Sequence, residues 1–287
     1  SSDLLQIEVR EIDGREALVV LYPNDRVVYP EMGRGSRTQI RLRDDGTFFG
    51  DRGSWRGQRV EIAGSGRGME AWADLTIRVP AGTDLGFFLA VGETDMEGVE
   101  GSVLIDIGSG AVRARNGRGE LLIDTGSGSV SVEGFDGELE VDTGSGDVEL
   151  RDVRGSEVRV DTGSGSVRGE VIRAGSVEVD TGSGEIDLRG VAAPDVVMDT
   201  GSGGVFGGLL EDVHRLEIDT VSGAVTVEVP ASVGATVEMD SGSGGIDLDL
   251  PFEAREVKRN YVRGVLGDGA GRIEIDTGSG RIRLTRS

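Results

Sequence analysis

A chain of 287 residues with 52 acidic and 30 basic side chains, formally −22 at pH 7, repels phosphate backbones and anionic headgroups, which excludes nucleic acid and direct anionic-membrane binding. It has no cysteine, so disulfides, thiolate catalysis and cysteine metal sites are excluded too, and no apolar run reaches the roughly 18 residues of a membrane span. With 49 glycines against 6 prolines and only 4% aromatics, the composition points to a chain of many tight turns.

Residues 1–74 alternate apolar and polar side chains in LLQIEVREIDGREALVVLYP, RTQIRLRDDGTFF and RGQRVEIAGSG, broken at Asp-Gly or Gly-rich turns. They are expected to form an N-terminal β-rich cap, or degenerate coils, covering the first rung of a stack that begins near residue 75. Trp55 and Trp72 are expected to plug the end of a core. The opening SSDLLQ lacks Met, as in a mature exported form after signal cleavage or in an edited chain.

From residue 75 to 287 a pentad recurs. It begins at Asp106 (DIGSG), Asp124, Asp142, Asp161, Asp180 and Asp199 (DTGSG), Asp219 (DTVSG), Asp240 (DSGSG) and Asp276 (DTGSG). Successive copies lie 18 to 21 residues apart, except the last, which comes after 36. Apolar residues stand one and three places before each Asp, as Val158 and Val160 do before Asp161, and again six places after it, as at Val167. Polar residues such as Glu140, Arg159 and Glu178 fill the places between. Period-2 alternation on both sides of a Gly-Ser-Gly corner predicts two half-buried strands per unit, then a looser turn such as EGFDG or RDVRG. Neither strand can bury its apolar face alone, so the units must stack about 4.8 Å apart. The predicted fold is all-β: a single-stranded parallel β-solenoid of about 18–21 residues per coil.

Asp-Thr-Gly-Ser also surrounds the catalytic aspartate of pepsin-like proteases, where two carboxyls share one proton. Those enzymes need two such loops facing each other. Nine copies spaced one coil apart form a column instead, and alternation turns each Asp outward and the next residue, Thr in most copies, inward. The corner has a structural reading: Asp accepts from the amide two residues on in an Asx-turn, the glycines permit positive φ, and the serines, present in every copy, form a hydroxyl ladder. Val221 replaces the first corner glycine once, so that position does not require a left-handed backbone. Carboxylates stacked at this spacing repel by roughly 1 kcal/mol per neighbour even in water. A calcium ladder would relieve that repulsion, yet the nonapeptide calcium repeat places its Asp after the glycines. No metal, cofactor or catalytic residue is therefore assigned.

The 36-residue gap holds PFEAREVKRNYVRGVLGDGAG, an insertion near 251–272 that is either a hairpin on one coil or a degenerate coil. Its Arg255, Lys258, Arg259, Tyr261 and Arg263 make a local basic patch, read as a charged loop protecting a strand edge. His214, the single histidine, is read as a turn residue. In RIRLTRS, Arg281, Arg283 and Arg286 are expected to discourage strand addition at the end of the stack.

The run DLTIRVPAGTDL, repeats such as LEVDTGSGDVELRDV and the segment GRIEIDTGSGRIRL resemble the bacterial β-repeat family described as adhesins, a domain of otherwise undefined function, over roughly residues 60–287. The resemblance implies a right-handed β-solenoid, or β-helix, on an envelope-associated or exported protein. It implies no site residues. The expectation is a non-enzymatic structural or interaction protein outside the cytoplasm, an acidic rod whose partners are other copies of itself, end to end or laterally, or a surface glycan or envelope component. Alternatives are an envelope ligand sensor and a polysaccharide-acting β-helix enzyme. The enzyme would need differently tuned carboxylates, which an equivalent repeat does not supply.

Overall fold

Strands that repeat the same alternation every 18 or 19 residues can satisfy both their backbone groups and their apolar faces by lying in register on one another. The computed structural model, which describes residues 6–12, 14–22, 24–43, 48 and 57–287, shows this arrangement: a parallel β-solenoid of about eight turns with about 19 residues per coil. The chain divides into two units, Ser1–Arg78 with Phe88–Gly92, and Val79–Phe87 with Glu93–Ser287.

Within the second unit each coil has an aspartate face, a Gly-Ser-Gly corner and a return face. On the aspartate face Arg118–Thr125 pairs in parallel with Asp136–Thr143, residue for residue, so that Leu121 lies over Leu139 and Asp124 over Asp142. On the return face Val112, Val130, Val148, Val167, Ile186 and Val205 form one inward column. These inward side chains are buried almost completely. Two coils carry glycine where others carry Val or Leu, and neighbouring side chains occupy the space: Ile172 and Leu188 close over Gly169, and the Met198 methyl fills the place of a side chain at Gly207.

The turn expected to be loose is instead a sharp kink. Gly98, Asn116, Gly134, Asp152, Val171 and Gly190 occupy equivalent places and all have φ between 49° and 71°. A left-handed residue there bends the strand onto a third side, where Val153, Ile172 and Val191 stack. Val171 is the one β-branched residue in that set, and it is also 42% exposed.

At the Gly-Ser-Gly corner, rungs approach so closely that the second glycine admits no side chain. A Cβ on Gly165 would fall on the carbonyl oxygen of Gly146, and one on Gly203 on that of Gly184. The first glycine is less confined. A Cβ on Gly163 would sit 2.7 Å from the carbonyl oxygen of Gly144, and in the rung that carries Val221 the side chain is 67% exposed.

The rungs do not stack in sequence order throughout. Arg215–Ser222 pairs with Gly271–Ser279, which pairs on its other edge with Ala235–Ser241. On the return face Ile282–Arg286 is likewise held between Val225–Val229 and Ile246–Asp249. The chain thus climbs two levels after Val229 and later fills the level it skipped. The insertion is an antiparallel hairpin, Phe252–Val257 and Tyr261–Leu266, added to the outer edge of Ala235–Ser241. This corrects the expectation for Arg281, Arg283 and Arg286. Their strand is interior, and Arg281 and Arg283 lie 3.2 Å and 3.7 Å from Asp247 on the next rung.

The first unit contains an antiparallel pair, Gln6–Ile12 with Arg15–Leu21, and a four-stranded sheet ordered Arg37–Leu42, Gln58–Ala63, Arg26–Val28, Met69–Glu70. Val27, Val28, Val60 and Ala63 are buried in it. Trp72, expected to plug a core, is 53% exposed, and Trp55 lies outside the described residues.

Three substitutions test this geometry by urea denaturation. Gly165→Ala is expected to cost more than about 2 kcal/mol, and Gly163→Ala distinctly less. Val171→Asn, which tolerates the left-handed backbone as Asn116 does, is expected to stabilise by about 1 kcal/mol.

Candidate functional site

The pentad aspartates form one continuous column on the aspartate face. Cα partners run from Asp106 to Asp124, Asp142, Asp161, Asp180, Asp199 and Asp219, then to Asp276 and finally Asp240. Each stands between two buried residues, so each carboxylate points outward, exposed or half-buried. Neighbours stand side by side along a line, and no two face each other across a cleft as a protease dyad would.

Five carboxyls of the column, Asp106, Asp142, Asp180, Asp199 and Asp276, have pKa values raised by burial and, after it, by neighbouring acids. Asp106 is pushed up to about 6, first by burial and then by the charge on Asp124. Asp276 also reaches about 6, through burial and then repulsion from Glu274, Asp219, Asp240 and Glu238. Burial, and after it the charges of their column neighbours, shifts Asp142, Asp180 and Asp199 in the same direction.

Inside the corner the hydroxyl ladder belongs to threonine. Thr181 donates to the Gly165 carbonyl at 3.0 Å, Thr200 to Gly184 at 3.1 Å and Thr277 to Gly223 at 3.1 Å; Ser241 does the same to Gly280 at 2.7 Å. The serine ladder expected from the sequence is represented among the described residues by one bond, Ser127 to Ser109 at 3.2 Å. Nor is the Asx-turn needed. The amide two residues after the Asp bonds to the neighbouring rung, as Gly126 does to Ile107 and Gly144 to Thr125, so the aspartates are left to the solvent side. Thr125 and Thr143 are buried without a hydroxyl partner.

The two faces treat charge in opposite ways. Beside the Asp column, Glu140, Glu178, Glu217, Glu274 and Glu238 occupy the next outward column, where Arg159 is the one arginine. The return face alternates instead: Glu97, Arg115, Glu133, Arg151, Glu170 and Arg189 succeed one another rung by rung. Arg115 lies 2.9 Å from Glu97, and Arg189 lies 2.9 Å from Asp187 in the parallel column. From Arg115 to Arg189 the alternation is visible nine residues after each pentad Asp, a signal missed when the pentads alone are followed.

Residues of the insertion and the turns take lesser places. Lys258 pairs with Glu256 at 2.6 Å and sits over the Tyr261 ring at 5.5 Å, while the Tyr261 hydroxyl donates to Glu238 at 2.9 Å. The insertion's basic patch is thus partly neutralised within its own hairpin. His214 is an exposed turn residue whose carbonyl accepts from the Arg272 amide. A shallow depression on the return face is lined by Glu149, Arg168, Glu170, Asp187 and Arg189, acids and bases already interleaved.

A family model described as Toastrack DUF4097 matches residues 68–285. The chain belongs to the Toastrack family. The family is one of β-repeat domains of unknown function, which bears out the β-repeat part of the resemblance and carries no adhesive activity with it. No curated protein and no solved structure matches the chain.

The Toastrack corner lends itself to measurement in two ways. A carboxyl with a raised folded-state pKa binds its proton more tightly in the fold than in the unfolded chain, so stability rises as pH falls from above about 6 toward about 4. Asp276→Asn should therefore raise the melting midpoint near pH 7.5 more than near pH 5. In urea denaturation Thr181→Val should cost about 1 kcal/mol, whereas Thr125→Val, which removes an orphaned hydroxyl, should be neutral or stabilising.

Proposed function

We propose that the Toastrack solenoid is a non-enzymatic interaction module that presents its aspartate face to a cationic surface or polymer outside the cytoplasm. The carrying observation is the contrast between the faces. The same repeat that neutralises its return face with interleaved arginines leaves an unbroken line of carboxylates on the other, at a cost in mutual repulsion. A repulsive array held rigidly in register attracts multivalent cationic partners through summed potential, without a deep pocket. The carboxylates also stand in line along one face instead of flanking a cleft from two sides, as the acid and base of polysaccharide cleavage must.

The test is binding to a polylysine-coated surface and to an array of amino-sugar and neutral glycans, as a function of salt, with polysaccharide turnover assayed alongside. Wild-type chain should bind the cationic ligands in a salt-sensitive way, and an Asp142→Asn, Asp161→Asn, Asp180→Asn variant should lose most of that binding while remaining folded. Equal retention by both proteins, or turnover of a glycan, would sink the reading.

A further inference from the structure

We infer that the rung Gly271–Arg286 is an exchangeable insert, and that two copies of this chain associate by trading it. The preceding rungs, from Asp106 to Asp219, each rest on the one before them in sequence, whereas this one occupies a level between two rungs formed by earlier residues, paired along both edges on both faces. When it is out, four strand edges lie open at once, two above and two below. Open edges of matched register recapture a strand, and the identical rung of another copy fits with the same hydrogen bonds and the same buried contacts. Only the connecting turn and the loss of independent motion distinguish the traded from the closed form, so concentration and the turn set the balance.

Two further features bear on the exchange. Charge guides the insert into the slot, since Arg281 and Arg283 both seat on Asp247 of the rung above. The hinge is a tight turn through Gly267 and Gly269, both left-handed at φ 54° and 71°. Bulk at Gly267 strains the closed turn, because a Cβ there would stand 2.8 Å from the Val233 carbonyl oxygen. An open hinge relieves that strain.

The absence of cysteine allows a clean test in the full chain. Thr226 and Arg283 are Cα partners across the slot. Thr226→Cys and Arg283→Cys chains are mixed, unfolded, refolded together at high concentration and treated with a short bismaleimide. The mixture should give a band at twice the chain mass that neither variant gives alone, and adding Gly267→Val to both should strengthen it. A Ser131→Cys chain mixed with Arg283→Cys should give none. The double variant Thr226→Cys, Arg283→Cys must close within one chain, with β-sheet circular dichroism retained. If it closes and the mixture gives no more product than the Ser131→Cys control, exchange is refuted. If a folded double variant fails to close, the slot itself is refuted. Neither result depends on what the aspartate face binds.

Discussion

Stacking at one strand spacing governs everything else in the solenoid. Parallel rungs in register bring like residues together, so any side chain the repeat carries is multiplied into a column. For an apolar residue this is favourable, since each inward Val or Leu is buried by the copies above and below. For the second corner glycine it is a prohibition, because the carbonyl of the preceding rung occupies the space a Cβ would need. For aspartate it is a standing repulsion. The one constraint thus yields the core, the glycine requirement and the electrostatics together.

Much of this was legible in the sequence, because a column in space is a period in the chain. The strands, the corner and the outward turn of Asp161 and its equivalents are dictated by alternation around a repeated pentad. The features that escape such a reading do so for physical reasons. Thr181 rather than Ser183 makes the corner hydroxyl bond because the inward residue, not the one at the tip, lies beneath the neighbouring carbonyl. The left-handed kink at Asn116, Asp152 and Val171 carries no shared residue type, only a shared position. The spatial order of the final rungs is invisible in principle, since units with the same pattern fit any level, and Asp276 pairs as well with Asp219 as with Asp240.

The candidate site was legible as a column and misread in its detail. Following only the pentads shows nine equivalent carboxylates, and the meaning of that array comes from comparison with the opposite face. There, Glu133, Arg151, Glu170 and Arg189 alternate in register, so that each charge has a residue of opposite sign as its Cα partner on the adjacent rung. Membership of the Toastrack family fits the architecture, and the charge pattern of this chain's own rungs is what separates its two surfaces.

The hairpin of Phe252–Val257 and Tyr261–Leu266 and the rung tucked beneath it make the two ends of the repeat array unequal in their tolerance of change. Between Asp106 and Ser202 a whole unit can be duplicated or deleted by recombination and the chain simply lengthens or shortens by one storey, with each neighbour finding an equivalent partner. Beyond Ser222 the same event shifts the crossing that leaves a level vacant and strands its intended occupant. Lineages that vary in length are therefore expected to have gained and lost their units upstream of that crossing, with the downstream portion inherited as an indivisible block.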